Sequence, residues 1–132
     1  MKLLLDTHAL LWWLSDLPGL NRAQRAALAK AESAGEPLYL AAISLWELAK
    51  AAELGRVELL PTPGEWLAAV EGHTRIRVLP LSARIASESC ALGAGFHKDP
   101  ADQIIVATAR VHELTLVTAD DRIRKAGVAP IL

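Results

Sequence analysis

Cysteine is nearly absent from this chain, with Cys90 as its one example among 132 residues. A single thiol excludes an intrachain disulfide framework and suits the reducing conditions of the cytoplasm. Cys90 falls in a segment predicted to be helical, where a lone cysteine usually serves as a small buried apolar residue. The sequence therefore predicts a cytoplasmic protein that is stabilised by its core and not by covalent cross-links.

Long apolar runs are also missing, although 52% of the residues are hydrophobic. The apolar N-terminal run is interrupted by Asp6 and His8, and no small-residue cleavage site follows Leu14, which argues against a secretory signal. No window approaches the ~20 apolar residues that a membrane-spanning helix needs. We therefore expect no association with a membrane.

The chain also has no large excess of positive or negative residues, because its formal net charge is −1. A nucleic-acid substrate would have to be attracted by local clusters such as Arg22, Arg25 and Arg84. No Gly-x-Gly-x-x-Gly turn follows the first predicted strand, and the histidines and the cysteine lack the spacing of zinc ligands. The missing glycine motif excludes a dinucleotide-binding site, and the missing ligand spacing argues against a zinc site.

What the chain does have is a regular alternation of short apolar runs and helical segments. Strands are predicted at residues 2–5, 38–41, 76–79 and 114–117, with a further edge strand at 128–132. Helices are predicted between them, at residues 7–14, 21–34, 44–54, 62–71, 82–92 and 99–112. This alternation indicates an α/β three-layer sandwich, with a central parallel sheet of four or five strands and helices on both faces. We expect residues 1–132 to form a single domain.

Four carboxylates occupy the same kind of position along this pattern. They are Asp6 after the first strand, Glu47 in the first turn of the helix after the second, Asp102 in the first turn of the helix that follows Asp99-Pro100, and Asp120 at the end of the next strand. The carboxyl ends of parallel strands and the amino ends of the following helices share one edge of the sheet, so we expect these acids to meet. Unit charges about 4 Å apart repel by ~4 kcal/mol near a protein surface, so such a cluster indicates a bound cation.

The expected cation is a hard one, because oxygen-only ligands suit Mg²⁺ or Mn²⁺. A divalent cation in an acidic site activates water and stabilises charge on a phosphoryl oxygen, which matches hydrolysis of a phosphodiester. The hydroxyl groups of Thr7, Ser44 and Thr118 are close to the acids in sequence and are candidates to hydrogen-bond them.

The acids and hydroxyl groups also fit purely structural roles. Ser44 and Glu47 have the spacing of a capping box, and the helix dipole favours acids such as Asp99 and Asp102 at a helix start. A non-catalytic α/β binding or signalling module and a metal-dependent phosphatase acting on a small substrate are the alternative functions. The Asp-x-Asp start of such phosphatases is missing, since Thr7-His8 follows Asp6.

Three tryptophans are candidates for contacts with another chain. Trp12 and Trp13 lie in a helix that is apolar in every direction, and Trp46 precedes Glu47. One face of a sheet cannot bury a helix of this kind completely. We therefore expect these tryptophans at a partner interface, where exposed tryptophan is a common anchor.

Together, four motifs resemble those of the PIN-domain ribonucleases, in particular the VapC toxins of prokaryotic toxin–antitoxin pairs. The motifs are Leu5-Asp6-Thr7-His8 with Leu10-Leu11-Trp12, Ser44-Leu45-Trp46-Glu47, residues 99–109, and Thr118-Ala119-Asp120. They occur in the family's order over essentially the whole chain. The resemblance implies a PIN-like fold and an endoribonuclease that depends on Mg²⁺ or Mn²⁺ and acts on RNA. It also implies a homodimer that is inhibited by a cognate VapB-type antitoxin.

The resemblance also implies roles for single residues. Asp6, Glu47, Asp102 and Asp120 would be the catalytic metal ligands. Asp99 takes the first position of the family's Asp-Pro-x-Asp motif, and Thr118 takes the polar position before the last acid. Many relatives carry arginine directly after the third acid, where this chain has Gln103. Glutamine keeps the capacity for hydrogen bonding and loses the charge.

Overall fold

The computed structural model describes residues 1–15 and 17–132, which form four strands and seven helices. The strands are β1 Leu3–Leu5, β2 Leu38–Ala41, β3 Ile76–Leu79 and β4 Thr115–Val117. The helices are α1 Thr7–Ser15, α2 Arg22–Ser33, α3 Ala42–Glu53, α4 Pro63–Glu71, α5 Ala83–Ser89, α6 Pro100–Val111 and α7 Asp121–Ala126. The predicted alternation of strands and helices is confirmed. Within this part of the chain, no helix combines the length and the apolar content needed to cross a bilayer.

All four strands are parallel and form one sheet in the order β3-β2-β1-β4. β1 is central, and its Leu4 pairs with Tyr39 of β2 and with Leu116 of β4. The carboxyl ends of the strands therefore share one edge of the sheet. The backbone N–H of Asp6 donates to the carbonyl of Val117 at 3.1 Å, which holds the ends of β1 and β4 side by side.

The side chains of β1 point to both faces of the sheet. Leu3 and Leu5 belong to a core with residues of α1, α2, α3 and α4, whereas Leu4 packs with residues of α6 and α7. Successive strand residues alternate between faces, so a strand that is covered on both sides has no polar position. The predicted three-layer α/β sandwich is confirmed.

The start of α3 corrects one prediction. Its N-cap is Ala41, the last residue of β2, and no side chain hydrogen-bonds this end of the helix. Because the chain passes directly from strand to helix, Ser44 lies inside the first turn and Glu47 in the second. The capping-box interpretation of Ser44 and Glu47 is therefore wrong, and both side chains are free for other contacts.

Two further predictions differ from the structure. α5 ends at Ser89, earlier than expected, and Cys90 is an exposed thiol at its C-cap instead of a buried residue. The expected edge strand at 128–132 is reduced to one bridge between Leu116 and Ile131. The N–H groups of Leu116 and Leu132 make its hydrogen bonds, whereas Pro130 has no N–H with which to extend the ladder.

Candidate active site

The four acids predicted to meet line one cavity of about 340 Å³, which we call the acid cavity. Asp6 follows β1, Glu47 belongs to α3, Asp102 lies in the first turn of α6, and Asp120 is the N-cap of α7. Thr7 and Asp99 also line it, and Ser44 and Thr118 are buried. Segments from both ends of the chain thus supply one site.

Asp6 is the most buried of these acids, with 8% of its surface exposed. Its Oδ1 accepts a hydrogen bond of 2.8 Å from the backbone N–H of Ala9 in α1. Burial raises the pKa of Asp6, the Thr118 side chain and the Ala9 N–H partly lower it, and the charge of Asp102 raises it again. The ionised form of Asp6 is therefore poorly stabilised by the protein alone.

Glu47 is hydrogen-bonded by the hydroxyl group of Thr7, which also contacts the hydroxyl group of Ser44. Thr7 Oγ1 lies 2.5 Å from Glu47 Oε1 and 2.9 Å from Ser44 Oγ. Burial raises the pKa of Glu47, the Thr7 hydrogen bond lowers it, and the charges of Asp102 and Asp99 raise it. Thr7 of α1, which is itself hydrogen-bonded to Ser44, therefore orients Glu47 of α3.

Asp102 is held at the amino end of α6 by two side chains. Asp99 Oδ1 accepts a hydrogen bond of 3.1 Å from the backbone N–H of Asp102, and His97 Nε2 lies 2.7 Å from Asp102 Oδ2. Burial raises the pKa of Asp102 and the His97 hydrogen bond lowers it, while the charges of Asp99 and Asp120 raise it.

Asp120 differs from the other acids because an arginine contacts it. Its Oδ1 accepts from the backbone N–H groups of Arg122 and Ile123 at 2.8 and 3.3 Å, and its Oδ2 lies 3.2 Å from Arg122 Nη2. Burial acts to raise the pKa of Asp120, but the hydrogen bonds of Arg122 and Ile123 outweigh it and the pKa is lowered. Arg122 Nη2 is also 3.7 Å from Asp102 Oδ2.

The chemistry of the donors fits a hard divalent cation. Five carboxylates and the side chain of Arg122 line the acid cavity, and mutual repulsion contributes to the raised pKa of Asp6, Glu47 and Asp102. No three His, Cys, Asp or Glu side chains in residues 1–15 and 17–132 are already grouped as metal ligands. Hydrogen bonds with other side chains instead orient the carboxylates, since Thr7 contacts Glu47, His97 contacts Asp102 and Arg122 contacts Asp120.

Sequence reasoning missed three polar residues of this site, since His8 and Arg122 line the acid cavity and His97 contacts Asp102. Arg122 follows the helix cap Asp120 by two residues, a spacing that could have indicated their contact. No comparable signal links His97 to Asp102, because a loop separates them. Gln103 has a structural part here, since its Nε2 donates to the carbonyl of His97 at 3.1 Å.

The three tryptophans differ in their surroundings. Trp46 is 56% exposed and lines a mostly apolar cavity of about 740 Å³, which we call the apolar cavity. Trp12 and Trp13 are half-buried, and Trp13 packs against the core beneath α1. A place at a partner interface stays a prediction for all three.

Comparison with known proteins identifies the family. The chain matches the PIN domain over residues 3–129. It is 37% identical over 121 residues to Ribonuclease VapC22 of Mycobacterium tuberculosis. The aligned region covers 92% of this chain and 88% of that protein.

Solved structures agree in fold. A toxin-antitoxin complex from Klebsiella pneumoniae has a TM-score of 0.65 at 25% identity, covering 99% of this chain and 96% of that one. VapBC2 from Rickettsia felis, bound to a promoter DNA fragment, has a TM-score of 0.72 at 16% identity, with 100% and 98% covered. The domain match and the identity to VapC22 decide against a signalling module or a small-substrate phosphatase. This chain belongs to the PIN-domain family, in its VapC group.

Proposed function

We propose that this chain is an endoribonuclease, the toxin of a VapBC-type toxin–antitoxin pair. The observation that supports this most strongly is that Asp6, Glu47, Asp102 and Asp120 line one cavity. Ribonuclease VapC22, which is 37% identical, carries the same activity in its name. The reaction is the hydrolysis of an RNA phosphodiester bond.

The same four acids are our proposed ligands of Mg²⁺ or Mn²⁺, and VapC-type ribonucleases generally depend on a divalent metal. When bound, the cation supplies an activated water and stabilises charge on a phosphoryl oxygen. Thr7 holds Glu47 Oε1 and His97 holds Asp102 Oδ2, which leaves the second oxygen of each carboxylate for the cation.

Other side chains of the site would orient the ligands and the RNA. Thr7, which is hydrogen-bonded to Ser44, orients Glu47, and Asp99 caps the first turn of α6. Arg122 has 62% of its side chain exposed at the acid cavity. Its guanidinium group can turn from Asp120 to a substrate phosphate, which it would bind through charge-assisted hydrogen bonds.

A cognate VapB-type antitoxin is the proposed occupant of the apolar cavity. Trp46 lines this cavity together with the apolar side chains of Leu11, Ile43, Leu54 and Val57. Glu47 and Asp99 line both this cavity and the acid cavity, so a segment bound here would obstruct access of RNA to the acids. We also propose that the chain forms a homodimer and is located in the cytoplasm.

The test uses the purified chain and total cellular RNA. We expect cleavage in Mn²⁺ or Mg²⁺, none in EDTA, and recovery when Mn²⁺ is added in excess. Asp102→Asn should reduce cleavage by roughly 100-fold or more, because one metal ligand loses its charge. The control is Asp121→Asn, an exposed acid outside the cavity, which should remain active. Full activity in EDTA or in Asp102→Asn would contradict the proposal.

A further inference from the structure

Arg122 forms ion pairs with two of the acids in the proposed metal site. Its Nη2 atom lies 3.2 Å from Asp120 Oδ2 and 3.7 Å from Asp102 Oδ2. One nitrogen thus connects the N-cap of α7 with the first turn of α6. Among the described residues that line the acid cavity, Arg122 is the one lysine or arginine. A permanent positive charge of the chain therefore lies between two of the proposed metal ligands.

The two oxygens of Asp120 are already engaged by other groups. Oδ1 accepts from the backbone N–H groups of Arg122 and Ile123, which makes this oxygen the cap of α7. Oδ2 is the oxygen that remains for a cation, and Arg122 Nη2 donates to it. A divalent cation and a guanidinium group on the same carboxylate oxygen repel each other. Binding of the cation to Asp120 therefore competes with Arg122.

Arg122 can leave the acids without disturbing the fold. Its side chain is 62% exposed, and the described contacts of its guanidinium group are the two carboxylates. Ion pairs at such exposed positions contribute little to stability. Arg124, on the same helix, differs because its Nη1 donates to the backbone carbonyls of Thr118 and Leu132 at 3.2 and 3.0 Å. Arg122 is therefore held by the acids alone.

We propose that Arg122 is a counter-ion of the acids that the divalent cation replaces, and that its released guanidinium group then binds a phosphate of the RNA strand. This inference rests on the proposed ribonuclease function and adds the order of binding, with the cation first and RNA second. Once the cation neutralises the acids, Arg122 is repelled from them unless an anion lies between the two positive groups. A phosphate of the substrate is such an anion, and guanidinium groups bind phosphate through paired hydrogen bonds.

The first test measures the affinity of the full chain for Mn²⁺ by isothermal titration calorimetry, without RNA. We expect Arg122→Gln to bind Mn²⁺ about tenfold more tightly than the wild type, because the competing charge is gone. Lys125→Gln is the matched control, since it removes one positive charge from an exposed position on the same helix, outside the acid cavity. It should change the affinity less than about twofold. Both variants should keep the Tm of the wild type within about 2 °C.

The second test measures RNA cleavage in saturating Mn²⁺. Arg122→Gln should raise KM about tenfold and change kcat less, as loss of one charge-assisted hydrogen bond to a phosphate predicts. Arg122→Lys keeps the charge and should give values of KM and of Mn²⁺ affinity between those of the wild type and Arg122→Gln. A purely structural arginine would not produce tighter metal binding together with weaker use of RNA.

Two results would contradict different parts of the argument. Unchanged or weaker Mn²⁺ binding in Arg122→Gln, or an unchanged KM, would overturn the exchange of Arg122 alone if the wild type binds Mn²⁺ and cleaves RNA. A wild type that cleaves no RNA in saturating Mn²⁺ would overturn the proposed function with it.

Discussion

His97 Nε2 lies 2.7 Å from Asp102 Oδ2, and both side chains are largely buried, with 17% and 16% exposed. The ring of His97 also stacks on Phe96 at a centroid distance of 4.5 Å, and its carbonyl accepts from Gln103. A histidine fixed in this way sets the orientation of Asp102, although nothing in the sequence pattern links the two residues.

We expect His97→Ala to reduce kcat for RNA cleavage about tenfold and to change KM little, because it disturbs Asp102, a proposed metal ligand, and not the binding of the RNA strand. Burial raises the pKa of Asp102 and the His97 hydrogen bond opposes this, so the pKa rises further without His97. The acidic limb of the pH–rate profile should therefore move to higher pH. His97→Gln, which can still donate to Asp102, is the conservative control. An acidic limb that does not move in His97→Ala would contradict this role.

The acid cavity should destabilise the metal-free protein at neutral pH. Burial and neighbouring acids raise the pKa of Asp6, Glu47 and Asp102. The native state then binds protons more tightly than the unfolded state, so the free energy of unfolding falls as the pH rises from the unfolded pKa through the raised one. Glu47→Gln should raise the Tm in EDTA by about 2 °C.

Two measurements by differential scanning fluorimetry check this destabilisation. Glu58→Gln, an exposed acid outside the acid cavity, should leave the Tm unchanged. Mn²⁺ should raise the Tm of the wild type more than that of Glu47→Gln, because a ligand that binds the native state stabilises it by mass action. A lower Tm for Glu47→Gln in EDTA would mean that the carboxylate stabilises the fold.

The fold could be predicted from the sequence because its signals are local. Leu3–Leu5 contains no polar residue, as a strand covered on both faces requires, and Asp99 with Pro100 marks the start of α6. The shared edge of the parallel sheet then predicted which acids would meet. Only the position of a residue relative to its own strand or helix was needed for these inferences.

Side-chain partners across the chain could not be predicted in this way. The spacing of Ser44 and Glu47 fits a capping box. Because β2 passes directly into α3, neither side chain caps the helix, and both contact Thr7, which is 40 residues from Glu47 in sequence. The contact of His97 with Asp102 depends on a loop, and the contribution of Trp12 to the acid cavity depends on packing between helices. Local propensity contains no information about such contacts.

Thr7 allows a test of how Glu47 is held. Thr7→Val removes the hydroxyl that lies 2.5 Å from Glu47 Oε1 and keeps the shape of the side chain. We expect kcat to fall about tenfold while the Tm changes by no more than about 2 °C. Thr7→Ser, which retains the hydroxyl, should keep most of the activity. Equal activity of Thr7→Val and the wild type would show that Glu47 needs no such orientation.

Gly19 controls the position of Trp12. A Cβ atom at Gly19 would lie 2.2 Å from Cδ2 and Cε2 of the Trp12 ring, so the indole must move in Gly19→Ala. We expect this variant to have a Tm about 3 °C or more below that of the wild type, because displacing a packed side chain costs ~1 kcal/mol or more. Gly95→Ala is the control, because no atom lies within 4 Å of its added Cβ. An unchanged Tm in Gly19→Ala would show that the packing of Trp12 against Gly19 does not stabilise the fold.

Trp46 tests the proposed antitoxin site. Trp46 is 56% exposed and lines the apolar cavity, and tryptophans that anchor an interface commonly contribute about 2 kcal/mol or more to binding, which is about 30-fold in Kd. We expect Trp46→Ser to weaken binding of the proposed VapB-type antitoxin by at least about this factor, while the variant alone still cleaves RNA. Leu60→Ser, at a residue that is 63% exposed and outside the apolar cavity, should bind as the wild type does. Unchanged antitoxin affinity in Trp46→Ser, measured by isothermal titration calorimetry, would place the antitoxin elsewhere. A concurrent shift from dimer to monomer would assign Trp46 to the contact between two copies of this chain.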